Sequence, residues 1–190
     1  TSTRDGDGEE IWVMNADGTN QVKVTDVPGS QNLQPDWSPD GSKIAFLSNR
    51  ISPYNFELYV MSVDGTNQTR LTFNDALVGA HNDYYPEWSP DGTKIAFVYD
   101  GGNTAHTDQI HVMNADGSGR VNLSNNTAYE YNPAWSPDGS QLVFMSNRDG
   151  NFELYVMNAN GTNQTRLTFN AGDGIDANTA NDYFPDWQAL

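Results

Sequence analysis

The chain has no cysteine, so disulfides and thiolate metal centres are excluded. Basic residues are scarce. Nine Lys and Arg stand against 25 Asp and Glu, a formal net charge of −16. A phosphate backbone or an anionic membrane surface would be repelled, which leaves cations or a basic protein as natural counterparts and argues against nucleic acid. No apolar run approaches the ~18 residues of a membrane-spanning helix. The opening residues, TSTRDGDG, do not read as a signal peptide or a natural start, so the chain reads as a mature or trimmed form. Helix-forming composition is also thin. Asn, Asp, Gly and Thr dominate over Ala and Leu, which favours many short strands joined by turns. G-x-S-x-G, H-E-x-x-H, P-loop and Rossmann patterns are all missing, and His81, His106 and His111 do not occupy equivalent places in the repeat described next. These absences lead to the expectation that the chain is not an enzyme.

What the sequence has is a repeat. WSPDG stands at 37–41, 88–92 and 135–139, and a fourth Trp, Trp187, arrives in FPDWQAL. Trp spacings of 51, 47 and 52, and Met14, Met61, Met113 and Met157 at spacings of 47, 52 and 44, set a period near fifty. Each unit reads as four extended pieces: a Pro-x-Trp segment, an apolar piece (KIAFLS, KIAFVY, QLVFMS), a second apolar piece (EIWVMN, ELYVMS, QIHVMN, ELYVMN) and an outer piece (QVKVT, QTRLTF, RVNLS, QTRLTF). Pro-Asp-Gly and Ala-Asp-Gly sequences supply the reversals. The two middle pieces are nearly continuously apolar, which means burial on both faces. A four-stranded meander buried on both faces must lie between similar sheets, and radial stacking of such sheets gives a β-propeller. The predicted fold is all-β: one domain over 1–190 with four four-stranded antiparallel blades, one of them incomplete. The repeat units run approximately 1–33, 34–83, 84–130, 131–182 and a partial 183–190.

PxWSPDGxxIAFxSxR followed by ELYVMNADGTxxxxLT resembles the TolB-type β-propeller repeat, a relative of the WD repeat, across nearly the whole chain. The resemblance implies that the Pro-x-Trp strand is innermost and the QTRLTF strand outermost. It also implies the company of periplasmic partners of envelope proteins, propellers attached to serine peptidases, and surface proteins. The first unit aligns from just after a second strand, and the last ends after a first strand, so one SPDGSKIAF-type arm is absent. Three arrangements are open: a closed four-bladed ring with one strand missing, a segment of a larger propeller, or a gap filled by a strand from another chain.

Two sets of acidic positions recur around the inner strand. Asp36, Glu87 and Asp186 immediately precede a Trp, with Ala134 at the fourth place. Four residues upstream lie Asn32, Asp83, Glu130 and Asp182. With the inner strand lining a channel, both sets are expected as rings near its mouth, either hydrated or binding a hard cation. Two loops add candidate calcium ligands: Asp173, Asp176 and Asn178 within 170–182, and Asp5 and Asp7 within 4–10. Neither loop matches the EF-hand pattern. Asn67 and Asn163 are candidate glycosylation acceptors on equivalent turns, in a secreted setting. Arg70 and Arg166, and Arg50 and Arg148, recur in pairs and are expected to pair with acids of adjacent strands. The Trp residues are expected between blades. The expected role is a non-enzymatic binding or scaffold module of the cell envelope or extracellular space that contacts a protein or a second copy of itself. Its rivals are a structural subunit joined by strand complementation, and a carbohydrate-binding or carbohydrate-active propeller.

Overall fold

The computed structural model describes residues 1–6, 8–74, 81–101, 107–169 and 184–187. It begins with a two-stranded ribbon, β1 (Trp12–Val13) and β2 (Val22–Lys23). Blade 1 follows: β3 (Asn32–Trp37), β4 (Lys43–Ser52), β5 (Asn55–Ser62) and β6 (Thr69–Arg70). Blade 2 holds β7 (Asp83–Trp88), β8 (Lys94–Asp100), β9 (Asp108–Asn114) and β10 (Val121–Asn122). Blade 3 holds β11 (Glu130–Trp135), β12 (Gln141–Ser146), β13 (Glu153–Asn158) and β14 (Thr165–Arg166). Each blade pairs its strands in chain order as an antiparallel meander.

The alternation of a strand explains how the blades stack. In β4, Ala45 and Leu47 face blade 2, in a cluster with Trp88, Ile95, Phe97 and Met113. Ile44 and Phe46, one residue out of phase, face the ribbon, in a cluster with Ile11 and Val24. Blade 2 repeats the arrangement against blade 3, with Ala96 and Val98 meeting Trp135, Leu142, Phe144 and Met157. Phe46, Phe97 and Phe144 are fully buried, each contributing about 1.5–3 kcal/mol of apolar burial.

The Ser-Pro-Asp-Gly reversals fold as expected. Gly41, Gly92 and Gly139 all sit at φ +69°, and their amides donate to the carbonyls of Ser38, Ser89 and Ser136 at 2.8 Å. Asp40 accepts from the Ser38 hydroxyl at 2.6 Å and from the Ser42 amide at 3.0 Å. Those bonds, the hydroxyl first, hold its carboxyl down to about 2.

The Trp expectation needs one correction. Trp88 and Trp135 are each 6% exposed inside the inter-blade clusters, but Trp37 is 45% exposed. Trp88 rests on the second-strand residues Ala45 and Leu47 of the preceding blade. The ribbon offers Trp37 no such strand among the described residues.

The turns into the outer strands make a second inter-blade joint. Gly65 has φ +84°, and a Cβ there would lie 2.4 Å from the Val24 carbonyl oxygen of the ribbon. Gly18, with φ +82°, has open space around it. Gly65→Ala is therefore expected to cost about 3 kcal/mol or more and Gly18→Ala about 1 kcal/mol. Urea unfolding of the two variants side by side checks the difference.

Candidate binding channel

The inner strands β3, β7 and β11 each carry a bulge. Pairing with the second strand breaks between Leu33 and Asp36, between Tyr84 and Glu87, and between Tyr131 and Ala134. The residue before each proline takes a left-handed conformation: Gln34 at φ 48°, Tyr85 at 52°, Asn132 at 50° and, in the last segment, Phe184 at 55°. Such angles cost a residue with a Cβ, and at Gln34, Tyr85 and Asn132 they fall inside the bulge of the inner strand. The four residues, with Pro35, Pro86, Pro133 and Pro185 behind them, line a cavity of about 540 Å³. Tyr85, 36% exposed, packs against Tyr84 and edge-on against Tyr131, which stacks on Tyr129.

Asp36, Glu87 and Asp186 also line this cavity, as does Ala134. Sequence reasoning placed these acids at the channel but missed what they bond. The Asp36 carboxylate accepts the backbone N–H of Trp88 at 2.7 Å, and Glu87 accepts that of Trp135 at 2.8 Å. Each acid thus ties its blade to the next around the axis. Ala134 breaks the series; there the Trp187 indole donates to the Ala134 carbonyl at 3.0 Å. The signal was present in the sequence: an acid at Asp36 and Glu87, each one repeat ahead of a Trp whose amide lies on the open edge of the innermost strand. Burial raises the Asp36 carboxyl. Burial first, then repulsion from Asp36 and Asp186, lifts Glu87 to about 7. None of the described residues lining the cavity is basic.

The upstream set is not at the channel mouth, which corrects the expected second ring. Asn32, Asp83 and Glu130 are fully buried in the joints between blades. In a regular strand, residues four apart share a face; the bulge inserted between them sends residue 36 to the channel and residue 32 into the joint. There Asn32 donates to Glu10 at 2.9 Å. Glu130 accepts from Asn126 at 2.8 Å, Ser146 at 2.9 Å and Arg148 at 2.9 and 3.1 Å. Asp83 accepts from Asn74 at 3.1 Å and meets the Thr72 hydroxyl. Asp182 lies outside the described residues.

The paired arginines serve these joints. Arg70 bonds Glu57 at 2.9 Å and Arg166 bonds Glu153 at 2.7 Å, each across one blade's outer hairpin. Arg148 pairs with Glu130, whereas Arg50 meets the Asn32 amide oxygen at 2.9 Å rather than an acid.

Of the candidate calcium ligands, Asp5 is exposed and pairs with Lys23 at 3.3 Å; Asp7, Asp173, Asp176 and Asn178 lie outside the described residues. Among the described residues no three metal-ligating side chains converge. Asn67 and Asn163 are exposed at φ 55° on equivalent turns. Of the histidines, His111 occupies a strand position opposite Phe97, His81 is buried beside Tyr99, and His106 is outside the described residues.

Twisted four-stranded meanders, stacked face to face with their innermost strands around an axial cavity, define a β-propeller. The sequence matches the TolB β-propeller domain over residues 1–103 and 78–186, and the chain belongs to that family. A putative TolB from Agrobacterium tumefaciens is similar at 25% identity and TM-score 0.65, over 84% of this chain and 56% of that one. TolB from Acinetobacter baumannii is similar at 23% identity and TM-score 0.67, over 83% of this chain and 37% of that one. The chain therefore spans about half the length of these structures or less. No curated protein sequence matches it.

An oligogalacturonate lyase in complex with manganese shares the fold at 17% identity and TM-score 0.61, over 83% of this chain and 41% of that one. A puromycin hydrolase shares it at 17% identity. These relatives overturn the expectation that the chain is not an enzyme. Missing motifs exclude catalysis only for folds whose enzymes use those motifs, and this fold recurs in enzymes.

Because the folded Glu87 carboxyl titrates near 7 instead of its ordinary 4.5, its contribution to stability is complete below pH ~4.5 and is lost as pH rises through 7. Glu87→Gln is expected to remove that part of the decline, about 1 kcal/mol at pH 8 once solvent access to the channel is discounted. Chemical denaturation of both proteins at pH 5 and pH 8 measures it.

Proposed function

We propose that the chain is a protein-interaction module of the periplasm or cell surface. It takes an extended, basic segment of a partner protein at the mouth of its channel. One observation carries the reading: a cavity lined by Asp36, Glu87 and Asp186 together with Tyr85, Phe184, Trp37 and Trp88, with no basic side chain among its described lining. Carboxylates partly withheld from water attract Lys or Arg more strongly than surface acids do. Aromatic faces beside them add cation–π attraction of about 0.5–2 kcal/mol. The net charge of −16 extends the same preference over the whole surface and speeds the approach of a basic partner. Resemblance to periplasmic partners of envelope proteins supports the location.

The test is titration with a Lys/Arg-rich peptide, followed by tryptophan fluorescence, against a Glu-rich peptide of equal length. The basic peptide is expected to bind and to weaken steeply as salt rises. Asp36→Asn combined with Glu87→Gln is expected to weaken it about tenfold, ~1.4 kcal/mol. Equal binding of the acidic peptide, or no loss in the double variant, overturns the reading.

A second reading, a subunit of an extracellular assembly that accepts an apolar strand from another polypeptide, is favoured by two exposed residues. Met14 is 60% exposed, whereas Met61, Met113 and Met157 are buried, and Leu167 is 48% exposed, whereas Leu71 and Leu123 are 7%. Met113, Met157, Leu71 and Leu123 meet the middle strands of a neighbouring blade, and Met61 meets Ile11 and Val24 beside the ribbon. Under this reading the purified chain forms oligomers that Met14→Lys with Leu167→Lys converts to monomer, as read by light scattering. A wild-type chain monomeric at high micromolar concentration removes it.

A further inference from the structure

Among the described residues, the three joints between ribbon and blade 1, blades 1 and 2, and blades 2 and 3 share one plan, from which one departs. At each joint a third-strand residue, an outer-strand hydroxyl and the first inner-strand residue of the next blade converge. Between ribbon and blade 1 these are Glu10, Thr25 and Asn32. Between blades 2 and 3 they are Gln109, Ser124 and Glu130, with the Asn126 side chain bridging to Glu130. Each of these joints combines one acid with one amide. Between blades 1 and 2 the pair is Glu57 and Asp83, two buried acids.

The Thr72 hydroxyl oxygen stands between them, 2.7 Å from Glu57 Oε2 and in contact with Asp83 Oδ2. One hydroxyl carries one proton and can donate to only one carboxylate. Glu57 has the richer set of donors: it also accepts from Arg70 at 2.9 Å and from the Asn74 backbone amide at 2.7 Å. Among the described residues Asp83 accepts the Asn74 side-chain amide at 3.1 Å besides the Thr72 contact, and its second oxygen, Oδ1, finds no partner there. The charges around it come from every packed element. Glu57 on β5 repels it, and Arg70 on β6 is committed to Glu57. Arg120, just before β10, attracts it without a hydrogen bond to it: its Nε donates to His111 on β9 at 3.1 Å, its Nη1 to Asn74 Oδ1 at 3.4 Å, its Nη2 has no partner among the described residues, and it lies over the Tyr99 ring of β8 at 4.0 Å. Nearby, Tyr99 Oη is 3.2 Å from His81 Nδ1.

We infer that Asp83 is a proton-binding site: in the folded protein at mildly acidic pH its carboxyl is uncharged and donates to Thr72 Oγ1, which donates in turn to Glu57, and it loses that proton as pH rises past neutrality. In this form it supplies a donor toward the acid of the joint, as the Asn32 amide does by donating directly to Glu10 one joint earlier. Loss of the proton leaves two buried carboxylates on one hydroxyl and loosens the seat of blade 1 on blade 2. The direction agrees with the carboxyl's behaviour: burial, opposed by Thr72 and Arg120 and reinforced by Glu57, lifts it to about 7 from an ordinary 3.8. A folded value above the unfolded one means that the contribution is complete below pH ~3.8 and is lost as pH rises through 7.

The test compares melting temperatures from pH 5 to pH 8.5 in the wild type, in Asp83→Asn and in Asn32→Asp. Asp83→Asn is expected to match the wild type near pH 5 and to exceed it by ~5 °C at pH 8. Asn32→Asp, which creates a second two-acid joint against Glu10, is expected to steepen the decline with pH. A constant offset of Asp83→Asn at every pH, or an Asn32→Asp curve parallel to the wild type, overturns the inference. The difference between wild type and Asp83→Asn isolates this joint from Glu87, which both proteins retain.

Discussion

The second strand of each blade has no face toward water, and the rest of the structure is a response to that constraint. Ala45 and Leu47 point one way along the stack and Ile44 and Phe46 the other, so no single meander satisfies its own β4-type strand. A neighbour is required on each side, and the neighbour has the same requirement. Trp88 and Trp135 serve this need at the inner end of the stack and the Gly65-type turns at its outer end. Where a second strand is not at hand, as beside Trp37, an aromatic ring that is buried elsewhere becomes half exposed.

Stacking apolar faces fixes the distance between blades but says little about their rotation around the axis. That is set by polar bonds of defined length. At the axis, the Asp36 and Glu87 carboxylates each hold the next blade's Trp amide. Midway out, the buried triads hold the first residue of the next inner strand. These bonds are made inside a low-dielectric stack, where a satisfied polar group orients strongly and an unsatisfied one is costly. The arrangement therefore tolerates few errors of charge, and the Glu57–Asp83 joint is the place where it comes closest to one.

Much of this was legible in the residues. The repeat period, the Pro-Asp-Gly turns and the double-sided burial of KIAF and QLVF follow from turn chemistry and from the absence of alternation. Asp36, Glu87 and Asp186, read from their place before three of the Trp residues, line the cavity. Asp83 and Glu130 were misplaced, because a bulge has no sequence signature as strong as a turn. An extra residue between Leu33 and Asp36 changes which face every upstream side chain takes, and only Pro35 hints at it. The role of Arg120 was similarly hidden. It stands over Phe97 and Tyr99 much as Arg50 stands over Phe46 and Tyr59, yet it comes from an outer strand, while Gly101 occupies the place equivalent to Arg50. Alignment of repeats finds residues in equivalent positions; it does not find a side chain that reaches the same spot from another strand.

Because the apolar faces of the joints follow one plan, with Ala45 and Leu47 of blade 1 facing forward as Ala96 and Val98 of blade 2 do, their two halves are close to interchangeable between blades. A tandem duplication of about fifty codons would thus insert a unit whose two sides already fit its new neighbours. The axial bonds would then have to span a wider circle. Glu87 reaches further than Asp36 by one methylene, and Ala134 makes no side-chain bond at all, so the inner ring already contains the variation in reach that a change in blade number would demand. The inner end of the stack is thus held by side chains of unequal reach, two carboxylates and one indole.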